Sequence, residues 1–90
     1  MEFEPEIPRW RQVAAVIRSR IEEGVYPPRS RVPSVQRLVE EFGIATATAQ
    51  KVNVGLKRDG LLYTEPGMGS FVTADALDIL RNARAKEEDA

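Results

Sequence analysis

The sequence predicts a mainly α-helical fold with a small β-hairpin, on three observations. Apolar residues recur at three- and four-residue steps in three stretches ahead of residue 60, the spacing that gathers them on one face of a helix. Gly24, Gly43 and Gly60 follow those stretches, and glycine is the residue that most readily ends a helix. Two short β-prone pieces then flank Pro66-Gly67-Met68-Gly69, the pattern of a hairpin.

Composition bounds what such a fold can do. Ninety residues suit one domain, and its core-forming part is of a size that buries about 60% of its unfolded surface. There is no cysteine and no histidine, which removes disulfides, thiolate chemistry and the commonest general base and metal ligand. No metal or cofactor site is expected. No apolar run approaches the roughly 20 residues needed to cross a bilayer, and the start, MEFEPEIP, lacks the basic-then-apolar pattern of a secretion signal. A soluble, cytoplasmic protein without a membrane partner is expected.

The formal net charge is −1, but its distribution is uneven. Glu2, Glu4 and Glu6 give residues 1–8 a charge of −3, and residues 74–90 carry five acids against Arg81, Arg84 and Lys86. Residues 9–73 hold ten Lys/Arg against six Asp/Glu. A modestly basic module thus lies between acidic ends, a distribution compatible with nucleic-acid binding. Residues 1–7 are expected to be a mobile acidic start, residues 8–73 the folded module, and residues 74–90 a C-terminal helix or linker with a frayed tail.

Pro8 suits the first turn of a helix, where its missing N–H would be unpaired anyway. From Arg9 to Glu23 the residues Trp10, Val13, Ile17 and Ile21 share one face, and Arg9, Arg11, Arg18 and Arg20 lie mostly off it on a solvated surface. Val25 to Pro33 contains Pro27, Pro28 and Pro33, so it is a fixed connector rather than helix, with Tyr26 and Val32 folding back onto the core. Ser34 is a good N-cap for a two-turn helix whose inner face is Val35, Leu38, Val39 and Phe42. Ile44 plugs the gap before the next helix, which Thr46 is expected to cap in preference to Ala45. Its buried face is Ala49, Val52 and Leu56, with Asn53 at the edge and Ala47, Gln50, Lys51 and Val54 opposite. Thr46 stands four residues before Gln50, so their side chains can point the same way. Gly55 within this helix costs roughly 1 kcal/mol relative to alanine, which leaves open close packing or a tolerated defect. Lys57 and Arg58 suit the negative end of the helix dipole.

Leu61 to Glu65 and Ser70 to Thr73 form the hairpin, whose loop is too long for a two-residue turn. Asp75 can then cap a final helix with a stripe of Ala76, Ile79, Leu80 and Ala83, ending in a fraying KEEDA tail. Helix, helix, turn, helix and hairpin in that order make a winged helix-turn-helix layout: three helices plus a two-stranded wing, with a further helix at the C-terminus. Its geometry suits duplex DNA, because a helix fits the major groove and presents its N-terminal residues to base edges. Gln50 can bond adenine in bidentate fashion, Lys51 can take a guanine or a phosphate, and Thr46 or Thr48 can bond a phosphate or touch a thymine methyl. Met68 at the wing tip is of a type used in minor grooves, though an exposed turn methionine is the stronger explanation, and Glu65 beside it opposes phosphate.

Over residues 8–73 the chain resembles the N-terminal DNA-binding domain of the GntR family of bacterial transcription regulators. The resemblance is carried by Pro8, Trp10, Gln12, Ile17, Ile21, Gly24 and Tyr26-Pro27-Pro28, by Val32-Pro33-Ser34 with Leu38, by Phe42-Gly43-Ile44, Thr48, Leu56 and Gly60-Leu61, and by Gly67-Met68-Gly69-Ser70-Phe71-Val72. It implies a repressor that binds a near-palindromic double-stranded operator as a homodimer, with each recognition helix in a major groove and each wing tip at a minor groove. It places DNA contacts at Ser34, Gln36, Arg37, Ala45, Thr46, Ala47, Thr48, Gln50, Lys51, Gly67, Met68 and Gly69. The chain departs from the family at those contacts. Val35 and Gln36 replace Glu and Arg, Ala45 and Thr46 replace a hydroxyl residue and Arg, Gln50 replaces a second arginine, and Pro66 replaces a basic residue or histidine before the wing glycine. A less guanine-centred operator is expected, with adenine or thymine opposite Gln50 and Thr46.

Family members generally carry a C-terminal domain that binds a metabolite and dimerises, and no small-molecule effector site is expected within these residues. Residues 74–86 offer little apolar surface, so self-association should be weak until DNA strengthens it. The competing reading from another class is a winged-helix protein-interaction module that docks through Ile79, Leu80 and Val54. An enzyme is the least supported class: the acid pairs Glu22/Glu23 and Glu40/Glu41 are helix neighbours pointing in different directions and should be solvated, and nothing resembles a nucleotide loop or a nucleophile elbow.

Overall fold

The first apolar stripe becomes α1 (Arg9–Glu22) in the computed structural model, which describes residues 1–89, with side chains through Lys86. Val13, Ala14, Ile17 and Ile21 are buried and Trp10 packs half-buried beside them. Pro8 stands one residue ahead of the helix, as its N-cap, and not within the first turn. The acidic start, expected to be mobile, makes defined contacts. The Gln12 side-chain amide donates to the carbonyls of Glu4 and Ile7, each at 2.9 Å, and its oxygen accepts from the Glu4 N–H at 3.0 Å. Phe3 lies against the core with the Arg9 guanidinium 5.2 Å from its ring centre, a cation–π distance.

Ser34 caps α2 (Val35–Phe42), its hydroxyl accepting from the Arg37 N–H at 3.3 Å. Leu38 and Phe42 are buried, with Val35 and Val39 packed partly against them. Gly43 then takes the left-handed conformation, φ 64, which a side chain would oppose, and ends the helix. The next helix, α3 (Thr46–Arg58), is capped by Ala45 and not by Thr46, and no side chain caps it. The position is set by packing. Ile44 ahead of the cap and Ala49 at the fourth helical residue are both buried, the arrangement of a hydrophobic staple, which fixes chain entry without a capping side chain. Thr46 is thereby moved into the first turn.

Ala49, Val52 and Leu56 on α3 are fully buried, and α3 meets α1 at Gly55. A Cβ there would lie 2.8 Å from Cζ3 of Trp10, so this glycine exists for close packing. Asn53 is half-buried at the edge, and among the described residues no buried side-chain nitrogen or oxygen lacks a partner.

Arg9 and Arg11 are exposed, but Arg18 and Arg20 and two of the paired acids are not simply solvated, because they join helices to one another. Arg18 reaches Asp59 at the end of α3 at 2.5 Å. Arg20 grips both carboxylate oxygens of Glu41 on α2, donates to the Tyr26 hydroxyl at 3.0 Å and lies 5.5 Å from the Phe42 ring centre. Glu22 pairs with Arg84. Glu23 and Glu40 do stay exposed. These pairs follow from helix crossings that the sequence does not display.

The hairpin consists of β1 (Leu62–Glu65) and β2 (Gly69–Val72), antiparallel with Leu62 opposite Val72 and Glu65 opposite Gly69. Three residues form the loop, closed by the Met68 N–H on the Glu65 carbonyl at 3.0 Å. Tyr63 and Phe71 stack across the strands at 5.7 Å. The proline-rich connector adds a short third edge, with Arg31 bridging Phe71, the Val32 N–H on the Ser70 carbonyl and the Val72 N–H on the Ser30 carbonyl. The wing is therefore anchored to the start of α2.

The last helix, α4 (Ala76–Asp89), begins directly after Asp75 and runs through the tail that was expected to fray from Lys86; Ala90 lies outside the described residues. Ala76 and Leu80 are buried, and Leu77 and Ile79 partly so. Ala83, expected on the same stripe, is exposed, the buried residues among those described in α4 ending at Leu80.

Two outcomes are expected in urea unfolding followed by circular dichroism. Gly55→Ala gains about 1 kcal/mol of helix propensity but forces the Trp10 ring aside, an overpacking cost of about 1–3 kcal/mol, so it should destabilise by about 1 kcal/mol. In a Trp10→Ala background the same change should stabilise, and equal effects in both backgrounds would refute the contact. Arg20 holds the Glu41 carboxyl below its ordinary range. Its contribution is therefore present above the unfolded-state value and lost as pH falls through the lowered folded-state value. Glu41→Gln should lose no more than about 1 kcal/mol near neutrality, since the pair is partly exposed, and the difference from the parent should vanish in acid.

Candidate nucleic-acid interface

The face of α3 opposite its buried residues projects from the fold. Ala45, Thr46, Ala47, Gln50 and Lys51 are exposed, Thr48 is half-buried, and Val54 is 63% exposed. Because Ala45 occupies the cap, the Thr46 hydroxyl makes no capping bond and is available at the helix start. Thr46 and Gln50 stand one turn apart on the same side, as their spacing requires. Two alanines keep that side low, so another surface can approach the helix closely.

The electrostatics of this region follow from pairings elsewhere. The segment Thr46–Arg58 contains no acidic residue. The acids nearest to it in sequence are engaged, Glu41 by Arg20 and Asp59 by Arg18. Arg31, Arg37, Lys51, Lys57 and Arg58 take part in none of the ion pairs among the described residues. Arg18 and Arg20 of α1 thus neutralise carboxylates, and the basic residues of the connector, α2 and α3 are left to face outward.

At the start of α2, Ser34, Gln36 and Arg37 are all exposed. Ser34 spends its oxygen on the Arg37 N–H, but its own O–H is still a donor. At the wing tip, Gly67 has φ 77 and Gly69 φ 112, and Met68 is 61% exposed between them. The connector and the start of α2 border an open groove of about 460 Å³, whose lining includes Arg31, Ser34, Arg37 and Glu41. Sequence reasoning did not single out Arg31. The signal was the alternation Ser30-Arg31-Val32, with Val32 buried and Arg31 exposed, but three surrounding prolines concealed its strand character.

A profile of the family described as "Bacterial regulatory proteins, gntR family" matches residues 10–72. The chain is 38% identical over 65 residues to a histidine utilization repressor of Pseudomonas aeruginosa, an alignment covering 72% of this chain and 26% of that protein. It thus spans about a quarter of that relative's length. Among solved structures, a GntR family transcriptional regulator from Listeria monocytogenes superposes with a TM-score of 0.87 at 26% identity, covering 97% of this chain and 78% of that one. The structure of AraR(DBD) in complex with operator ORR3 matches with a TM-score of 0.72 at 34% identity, over 81% of this chain and 86% of that chain. With a family match that takes in all three helices of the core and the wing, this winged helix-turn-helix chain belongs to the gntR family of bacterial regulatory proteins.

Proposed function

We propose that the chain binds double-stranded DNA in a sequence-specific manner and serves a bacterial transcriptional repressor that works as a homodimer on a near-palindromic operator. The observation that carries this reading is the exposed, acid-free face of α3, with Thr46, Gln50 and Lys51 on a low alanine surface. The similar AraR(DBD) structure contains an operator, and the relative from Pseudomonas aeruginosa bears the name of a repressor. A regulator of this kind acts on chromosomal DNA and hence in the cytoplasm.

In the proposed complex, α3 enters the major groove. Gln50 offers its amide to the paired acceptor and donor of adenine, Thr46 and Thr48 reach a phosphate or a thymine methyl, and Lys51 takes a phosphate or a guanine. Ala45 and Ala47 permit close approach. Ser34, Gln36 and Arg37 hold the backbone beside it, and Gly67, Met68 and Gly69 meet the minor groove, where apolar side chains are used. Two copies read half-sites about 34–36 Å apart, one helical turn.

The interaction-module reading has lost most of its docking surface. Leu80 is buried, and Ile79 packs so near Gly60 that a Cβ there would lie 3.1 Å from its Cδ1. Val54 alone is left. The described outer side of α4 carries Asp78, Arg81, Arg84 and Lys86, which supports weak self-association by these residues without DNA. We place neither an effector site nor a catalytic role within them.

Selection of binding sites from a randomised duplex library should yield a preferred operator containing adenine or thymine under α3. Gln50→Ala should abolish the preference at one base pair, cost about 1–3 kcal/mol on the selected site and leave binding to unrelated duplex unchanged; an unaltered base preference would overturn its assignment. In equilibrium sedimentation the free chain should be largely monomeric at micromolar concentration, with two copies on one operator duplex. A tight dimer without DNA would contradict this account of α4.

A further inference from the structure

The wing of this chain carries Glu65 and Pro66 beside its tip and no base between Leu62 and Val72, so the proposed wing contact lacks the cation that a phosphate backbone calls for. Resting on the DNA-binding reading above, we infer that Arg31 supplies that cation: its guanidinium, seated on the wing at Gly69, binds a backbone phosphate of the duplex where the wing meets the start of α2.

Arg31 does not belong to the hairpin, yet the fold makes it part of the wing. Its residue bridges Phe71, and the neighbouring bonds from Val32 to Ser70 and from Val72 to Ser30, at 3.0 and 2.9 Å, fix the connector against β2. From there the side chain runs toward the tip. A Cβ built at Gly69 would lie 3.0 Å from Nε, 3.2 Å from Nη2 and 3.4 Å from Cζ of Arg31. The guanidinium therefore lies against bare backbone, where a side chain would crowd it and where φ 112 favours glycine. That seat reduces the rotamer freedom a long side chain would otherwise lose on binding.

The surroundings favour an anion. Arg31 makes no ion pair and no side-chain hydrogen bond among the described residues. The groove it lines is shared with Arg37 and the Ser34 hydroxyl, both donors. Its one carboxylate, Glu41, already has both oxygens bound by Arg20. Donors thus converge from the connector and from α2, with the local acid occupied, and a phosphodiester supplies the several acceptor oxygens such a set requires. A phosphate contact orients the domain and carries no base information.

The test uses the full chain, its selected operator and an unrelated duplex. Arg31→Gln should weaken binding to both by about tenfold at 0.1 M salt and make the dependence of log affinity on log salt shallower by about 0.9, with the selected base sequence unchanged. Arg31→Lys should keep the parent salt dependence, a rescue that a purely structural role would not show. Replacing phosphates under the wing singly by neutral methylphosphonates should reveal one position whose loss is felt by the parent and not by Arg31→Gln. Unchanged affinity and slope in Arg31→Gln, or a loss confined to particular base pairs, would overturn the inference. A parent chain that selects no sequence at all would instead defeat the DNA-binding reading on which it rests.

Discussion

The depth at which α3 sits against α1 decides what the rest of the molecule can present. At their crossing the Trp10 ring occupies the space that a side chain at residue 55 would fill, and Ala49, Val52 and Leu56 are fully enclosed. Small residues on the inner side draw the helix in, and the following turn of buried apolar side chains holds it by the usual gain from removing apolar surface from water. Because the inner side is wholly committed, the outer side from Ala47 through Gln50 and Lys51 to Val54 stands free. The exposure of this side of α3 is thus set by a packing constraint on its opposite face.

Charge is divided by the same tertiary arrangement. Arg18, Arg20 and Arg84 neutralise Asp59, Glu41 and Glu22 at the joints between helices. As partly exposed pairs they contribute little stability each, and their larger effect is on the field outside: carboxylates near α2 and α3 are matched, whereas Arg31, Arg37 and Lys51 are not. A chain with a net charge of −1 can in this way turn a basic surface toward a polyanion.

The wing is held to this surface by backbone. The Val32 N–H donating to Ser70 and the Ser30 carbonyl accepting from Val72 make the connector a third edge of β2, which places the hairpin relative to α2 without a bulky core of its own. Arg29 accepts φ 68 at the head of this edge, a conformation unfavourable for a side-chain-bearing residue, and its N–H is bonded to the Val72 carbonyl at 2.8 Å.

The helices, most of their inner faces, the Ser34 cap, the hairpin and the outward side of α3 were legible in the amino-acid order, because each depends on local periodicity, cap chemistry or turn residues. Five features were decided only in three dimensions. Ala45 displaced Thr46 as the cap because burial of Ile44 and Ala49 outweighed a side-chain hydrogen bond. Gly55 was ambiguous until Trp10 was found against it. Arg18 and Arg20 have the spacing of a solvated surface, and only the crossing helices bring carboxylates to them. Ala83 fell outside the buried stripe of α4 because a partner surface covers only part of a helix, however regular its pattern. Arg31 stood unnoticed among prolines until strand pairing carried it to Gly69. Periodicity tells which side of an element is apolar; what lies opposite each side is a property of contacts between residues far apart in the chain.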